Sequence, residues 1–257
     1  MTNPILESLL NRKSIRKYTD QVPTDEVVQT LARAAQQAPF ATQSCSLLLT
    51  RRREKHPFRA PLFFTICADH HRLGLIMAKR NWRIVTNDAM LFFYGLQDAC
   101  LMAENLVVAA ESLGMGSCFI GQDEASIKRL RKQYKLPPRV LPVVQLTVGY
   151  PAEDPPPRPR YPLDFFLFED VYPEFTDEQI ERAMAVMDDG YMGQDYYRKA
   201  RLILPLEGGR EETFTHDTYG WTEHISRKWG QWHASPAALL QQFAECGFDI
   251  ARDRSAT

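Results

Sequence analysis

The chain has 257 residues, 44% hydrophobic and 25% charged, with 31 basic against 32 acidic side chains and a formal net charge of −1. Such a length and composition suit one large globular domain or two small ones, with enough apolar residues for a sizeable core. The near-neutral balance argues against a general binder of nucleic acid or of membrane surfaces, although local basic clusters exist.

The cysteines, Cys45, Cys67, Cys100, Cys118 and Cys246, are odd in number and form no Cys-x-x-Cys pair. Cys67, Cys100 and Cys118 lie in apolar runs and read as small buried hydrophobes, which suits a reducing cytoplasm. The N-terminal residues lack the pattern of a secretory leader, so none is expected.

In chain order, Asn3 can cap a first helix with Pro4 at its first position and Ile5, Leu6, Leu9 and Leu10 on one face. The run Arg12-Lys13-Ser14-Ile15-Arg16-Lys17-Tyr18 follows, where a helix ends and an extended segment begins. Guanidinium forks and a hydroxyl there can converge on one phosphate, whereas the blander reading is a solvated basic turn. Pro23-Thr24-Asp25-Glu26 opens a second helix with Val27, Val28, Leu31, Ala34 and Ala35 inward, and Pro39 stops it. Ala38 to Ser44 is a loop of small and polar groups, and Ser46 to Thr50 is a short strand.

Arg51 to His56 is the most basic run and reads as an exposed connector. Pro61 to Ala68, nearly all apolar, predicts a central strand buried on both faces. The pair His70-His71 lacks further ligands at metal spacing, so no metal is expected. Ala89 to Leu113 is apolar but carries Gln97, Asp98, Glu104, Asn105 and Glu111, which excludes a membrane span and predicts a central core or interface helix ended by Gly114. Cys118 to Ile120 reads as a strand, Asp123 as the cap of a helix from Glu124 to about Tyr134, and Val140 to Val148 as a further strand.

Pro151 to Pro162 is half proline and predicts a stiff extended arm, on which Arg158 and Arg160 could reach one anion together. Beyond it, Thr176 to Gln179 is a capping box for a helix to about Asp188, Tyr191 to Arg201 is loop-like, and Trp221 to Trp229 and Pro236 to Cys246 are short helices, the latter capped by Ser235. The succession implies one mixed domain with residues 1–162 as its core and 163–257 as an extension completing it.

Taken together, these pieces resemble the long branch of the FMN-dependent nitroreductase family. Arg12 to Arg16 resembles the family's opening Arg-x-Ser-x-Arg motif, and Pro39 to Ser44 sits where a Ser/Thr-rich flavin loop follows the second helix. Ala110 to Gly121 is similar to its helix-turn-strand, Pro157 to Pro162 to its late basic motif, and Trp221 to Ile225 to a long-branch segment. Each motif is weak singly; their order and spacing give a joint signal over most of the chain.

The resemblance implies an α+β, three-layer fold, with a central mixed sheet flanked by helices in an intertwined homodimer that carries a C-terminal helical extension. FMN would lie at the dimer interface. Arg12, Ser14, Arg158 and Arg160 would hold its phosphate, and Lys13 and Arg16 would follow the ribityl chain and pyrimidine edge. Ile120, Gly121 and Gln122 would border the flavin, and Pro39, Thr42 and Gln43 would come from the loop after helix two, in the site of the second copy. Hydride would pass from NADH or NADPH to flavin N5 and on to a nitroaromatic, quinone or related small-molecule acceptor by a ping-pong mechanism, with no catalytic side chain. No nucleic-acid or membrane partner is implied.

The chain departs from the pattern in places. The connection from the Ser46 strand to the Pro61 strand is short, Glu54-Lys55-His56 stands where the family has a Gln or Lys near the flavin, Gln122 replaces a glycine, and Thr215 to Gly220 lacks the arginines that suit the 2′-phosphate of NADPH. These leave a second reading, a flavoenzyme of the same fold that dehalogenates, dehydrogenates or uses oxygen, and a third, a non-enzymatic flavin-binding protein.

Overall fold

A computed structural model describes residues 3–233 and 235–250. It resolves into two compact units, residues 1–155 with 235–257, and residues 156–234.

In the first unit, α1 (Pro4–Leu10) starts where Asn3 accepts the Ile5 and Leu6 amides. In α2 (Asp25–Gln36), Thr24 accepts the Val27 amide, and Asp25 and Glu26 complement the helix dipole. The sheet comprises β1 (Cys45–Thr50), β2 (Leu62–Asp69), β3 (Gly116–Ile120) and β4 (Val140–Gly149) in the order β1-β2-β4-β3. All eight β2 positions are buried, as its unbroken apolar run predicts for a central strand.

Every strand pair is antiparallel. The mixed sheet expected above is therefore corrected: among the described residues, parallel pairing is confined to one bridge, Ser14 to Ser117, outside the four strands. The ladder between β2 and β4 shifts between Ile66 and Cys67, where Pro142 enters β4. A residue with no backbone N–H belongs at such a bulge.

Leu62, Phe64, Ile66, Leu146 and Val148 meet α4 (Asp88–Ser112), whose Ala99, Leu106, Val107 and Ala110 are fully buried. Helix α2 closes that layer through Val28, Leu31 and Ala35. On the opposite face lies α5 (Glu124–Tyr134), capped by Asp123, where the Tyr134 hydroxyl approaches Thr65 Oγ1 at 3.4 Å. A smaller cluster joins Ile127 to Leu141, Phe243, Cys246 and Phe248, and so fixes α9 (Pro236–Glu245) in this unit.

Several expectations change. Helix α3 (His71–Lys79) follows β2 directly, although the histidine pair gives no start signal and His70 caps it through no side-chain bond. Cys100 is exposed, on the outer side of α4. Ser235 precedes α9 but makes no side-chain capping bond. The connection from β1 to β2, which begins with the Arg51 to His56 run, contains single 3₁₀ turns at Arg53–Lys55 and Pro57–Arg59, and His56 within it is buried.

The second unit has α6 (Asp177–Gly193), which begins with the expected capping box and outruns its expected end at Asp188. Helix α7 (Tyr196–Ala200) replaces the loop expected there. Tyr191, Tyr196, Tyr197, Tyr219 and His224 pack ring against ring. Helix α8 (Trp221–Gly230) buries Arg227, which grips Glu212 with both terminal nitrogens, at 2.6 and 2.8 Å, and donates to the Leu204 carbonyl. The Arg227 bond pulls the exposed Glu212 carboxyl down to about 2.

No helix among the described residues is long and apolar enough to cross a membrane.

His70 supplies a test of the core. It is fully buried, its Nε2 meets the Leu91 carbonyl oxygen, and its Nδ1 has no partner. Burial, aided by Arg139, pushes it below its ordinary value against the raising influence of that carbonyl, Asp69 and Asp98. The native state therefore disfavours the imidazolium. The contribution is intact above the unfolded pKa of about 6.5 and is lost as pH falls below it. Urea unfolding at pH 7.5 and 5.5 should show a lower midpoint at pH 5.5, with a smaller difference in His70→Gln.

Candidate functional site

The basic run is fastened to the outer edge of the sheet. β3 is an edge strand, and the Ile15 amide donates to the Ser117 carbonyl at 2.8 Å beside the Ser14 bridge. Ile15 is buried, and a Cβ at Gly116 would collide with its side chain, so glycine is what lets the run lie this close. Tyr18 anchors the far end, its buried hydroxyl donating to the Ile15 carbonyl at 2.7 Å and meeting Thr147 Oγ1 at 2.8 Å.

The charged groups then diverge. The Arg12 guanidinium lies 5.5 Å from the centre of the Phe119 ring. Lys13 pairs with Asp154, and the amides of Arg16 and Lys17 donate to Glu153. Neither Arg12 nor Arg16 forms an ion pair among the described residues, although Arg12 lies near enough to Glu111 to favour its charged form. Lys13 is thus tied to the first acidic residues after β4, while two guanidinium groups stay available beside β3.

β3 runs into Ile120-Gly121-Gln122. A Cβ at Gly121 would meet no heavy atom within 4 Å, and the position needs no left-handed backbone. Packing does not demand glycine there; an open face for a flat ligand would. Gln122 Nε2 donates to the Ile120 carbonyl at 3.3 Å and to Gln145 Oε1 at 3.2 Å, and Gln145 passes the chain on to Thr65. Gln122 Oε1 and Ser117 Oγ are buried without a hydrogen-bond partner. Guanidinium groups, a hydroxyl, an unobstructed glycine and unpaired polar atoms along one edge fit a phosphorylated planar cofactor.

The loop from Pro39 to Ser44 is shaped by a residue that sequence reasoning used only to exclude a membrane span. Asp98, on α4 and buried, accepts the amides of Ala41, Thr42 and Ser44 at 2.6, 3.2 and 2.8 Å. Thr42 Oγ1 turns inward, donating to Ser44 Oγ at 2.8 Å. Gln43 takes a left-handed φ of 52° and lines a separate cavity of about 540 Å³ with Arg33 and Arg72. A carboxylate buried in an apolar helix must find donors, and that was the available signal. The cavity that Gln43 lines contains no residue of β3.

Arg158 and Arg160 belong to the second unit. Arg158 lies 4.0 Å from the centre of the Tyr196 ring and donates to Gln194 Oε1 at 2.8 Å, while Arg160 donates to the carbonyls of Arg158 and Pro159. Burial pushes the thiols of Cys45 and Cys246 up to about 11 and that of Cys67 to about 12, so none supplies a thiolate at neutral pH. The described residues contain no cluster able to hold a metal ion.

The model of the Nitroreductase family matches residues 9–56 and 43–150, which span the basic run, the Asp98 loop and the whole sheet. The chain belongs to this family. It is 31% identical over 229 residues to an FMN reductase (NADPH) of Bacillus subtilis, covering 83% of this chain and 89% of that protein. An oxygen-insensitive NADPH nitroreductase of Salmonella typhimurium is 30% identical over 70% of this chain and 79% of its own length. The solved NfrA1 nitroreductase of B. subtilis superposes with a TM-score of 0.77 at 28% identity, covering 95% of this chain and 99% of that one.

Replacing Asp98 by Asn removes the charge that three amides share. We expect a loss of about 3 kcal/mol in urea unfolding, the range for breaking charged hydrogen bonds inside a protein. The amide protons of Ala41, Thr42 and Ser44 should exchange faster, while those of β2 keep their order of protection.

Proposed function

We propose that this chain is an FMN-dependent oxidoreductase that takes hydride from NADH or NADPH and delivers it to nitroaromatic, quinone or related acceptors. The observation that carries the reading is the basic run fastened along the edge strand that opens at Gly121, in a chain of this family. When bound, FMN supplies the redox chemistry, taking up hydride at N5 and giving it to the acceptor.

The residues divide the remaining work. Arg12 and Ser14 would hold the phosphate by charge-assisted hydrogen bonds, with Arg158 and Arg160 proposed for the same group. Arg16 would follow the ribityl chain, with Lys13 beside it once its pairing to Asp154 is accommodated. Ile120 and Gly121 would present main-chain groups to the ring, and Gln122 would keep that turn in place through Gln145. Pro39, Thr42 and Gln43 would border the site of a second copy. One open face used in turn by donor and acceptor gives ping-pong kinetics.

A homodimer is part of the proposal. Ile5, Leu6, Leu9 and Leu10 on α1 and Phe93 and Leu101 on α4 are exposed, and an apolar surface of this extent suits burial between copies. The free cysteines suit a cytoplasmic setting.

Anaerobic absorbance tests the reading. The purified protein should be yellow, bleach on adding NADPH or NADH, and recolour with a quinone or nitro compound; a yellow protein that neither nucleotide bleaches would turn the assignment to another flavin reaction. Gly121→Val probes the site itself. Because the side chain would enter open space, the urea midpoint should hold, while FMN affinity falls about tenfold or more, read by flavin fluorescence.

A further inference from the structure

The Arg51 to Lys55 run divides by role. Arg51 pairs with Asp25, and Arg53 pairs with Asp20 while donating to the Thr19 and Arg59 carbonyls. Those two fasten the connector. Arg52 and Lys55 have no ion pair among the described residues and line a cavity of about 830 Å³ between the connector, the sheet and α5. Arg129 of α5 lines it as well, likewise without an ion pair. Three cations thus face one acid there, Glu54.

The rest of the lining suits a flat molecule. Phe63 and Tyr134 contribute rings and Gln145 a buried amide. The wall is set by the short connector: His56 is held at both ring nitrogens, to Thr50 Oγ1 at 2.7 Å and to the Ala60 carbonyl at 2.8 Å, and packs at a tilt against Phe63 with ring centres 5.3 Å apart. Phe58 and Arg59, both at left-handed φ, turn the chain back tightly toward β2. Ile120 also lines the cavity, so it opens at the strand end that leads into Gly121.

We propose that this cavity selects the acceptor, and that it favours planar aromatic acceptors bearing a carboxylate or sulfonate. Its volume lies within the range of small-molecule sites. The excess of two positive charges supplies the preference for an anion. The binding step stands on the cavity alone; that the bound anion is the acceptor rests on the reading that Ile120 and Gly121 border the flavin. For a quinone the turnover is quinone + NAD(P)H + H⁺ → hydroquinone + NAD(P)⁺, two electrons and two protons gained by the acceptor, one hydride from the nucleotide and one proton from solvent.

Naphthalene-2-sulfonate, which accepts no hydride, probes binding by calorimetry. Its affinity should fall about tenfold in the double variant Arg52→Ala/Arg129→Ala, as loss of two exposed charge contacts predicts, and weaken with salt. Arg80→Ala, which removes an exposed charge outside the cavity, should bind as the parent does. For turnover, 1,4-naphthoquinone-2-sulfonate is compared with the neutral 2-methyl-1,4-naphthoquinone. The parent should favour the sulfonate in kcat/KM, and the double variant should lose about tenfold of that preference with the neutral quinone unchanged. Equal binding and equal preference in parent and double variant would overturn the proposal while leaving the reductase intact. Binding that follows the variants, in a protein that reduces neither quinone, would keep the anion site and overturn both its acceptor role and the proposed activity.

Discussion

An edge strand normally leaves a row of unpaired backbone groups, and here that row borders the candidate site. The basic run closes part of the β3 edge through the Ile15 amide and the Ser117 carbonyl, and stops where β3 opens into Ile120 and Gly121. Everything about this docking is steric before it is electrostatic. Ile15 is buried against a glycine that cannot be replaced without displacing it, and Tyr18 pins the segment by hydrogen bonds to buried partners. The guanidinium groups are then oriented by a backbone that the core has already fixed. Pre-organisation of this kind is what makes a cluster of cations a binding site.

Asp98 plays the matching part on the other side of the unit. A carboxylate inside an apolar helix is costly unless donors surround it, and the three loop amides and the Thr42 hydroxyl satisfy that need. The result is a loop whose inward polar groups are consumed and whose remaining residues, Pro39, Phe40 and Gln43, face outward. Such a loop is shaped to meet something beyond its own chain, which accords with a site completed by a second copy.

The sequence made the regular architecture legible because its signals were local. Thr24, Asp123 and Thr176 each cap the helix that their spacing announces. The apolar run from Leu62 carries its own evidence for a central strand. What was not legible depended on contacts distant in sequence. α3 is capped by Asp69, the last residue of β2, whose carboxylate accepts the His71 and Arg72 amides, and the helix has no buried residue, so periodicity did not mark it. α7 is a single short helix held by Tyr191 of α6 and by His224 of α8, the second a contact that no window of local sequence shows. Cys100 sits in an apolar helix that presents part of its apolar surface outward, so composition alone misplaced it. At the candidate site, the motif spacing singled out Arg12 to Arg16 and Ile120 to Gln122, which the fold places along and beyond β3. That Lys13 would be claimed by Asp154, 141 positions away in sequence, required the fold.

The Arg51 to Lys55 run shows why a charge cluster cannot be judged as a unit. As a composition it reads as a solvated connector, and for Arg51 that is close to the truth, since its partner Asp25 is exposed. Alternate residues along a tight turn point in different directions, so one stretch can fasten itself with Arg53 and still direct Arg52 and Lys55 into a cavity. The brevity of the connector does two things at once. It turns the chain through the left-handed residues Phe58 and Arg59, and it leaves a recess between itself, α5 and the polar face of the sheet that carries Gln145. Antiparallel alternation makes that face distinct from the apolar face buried under α4. The same sheet therefore supplies stability through one surface and a charged, ring-lined recess through the other, and Gln145, hydrogen-bonded to Gln122, ties the floor of that recess to the turn at Gly121.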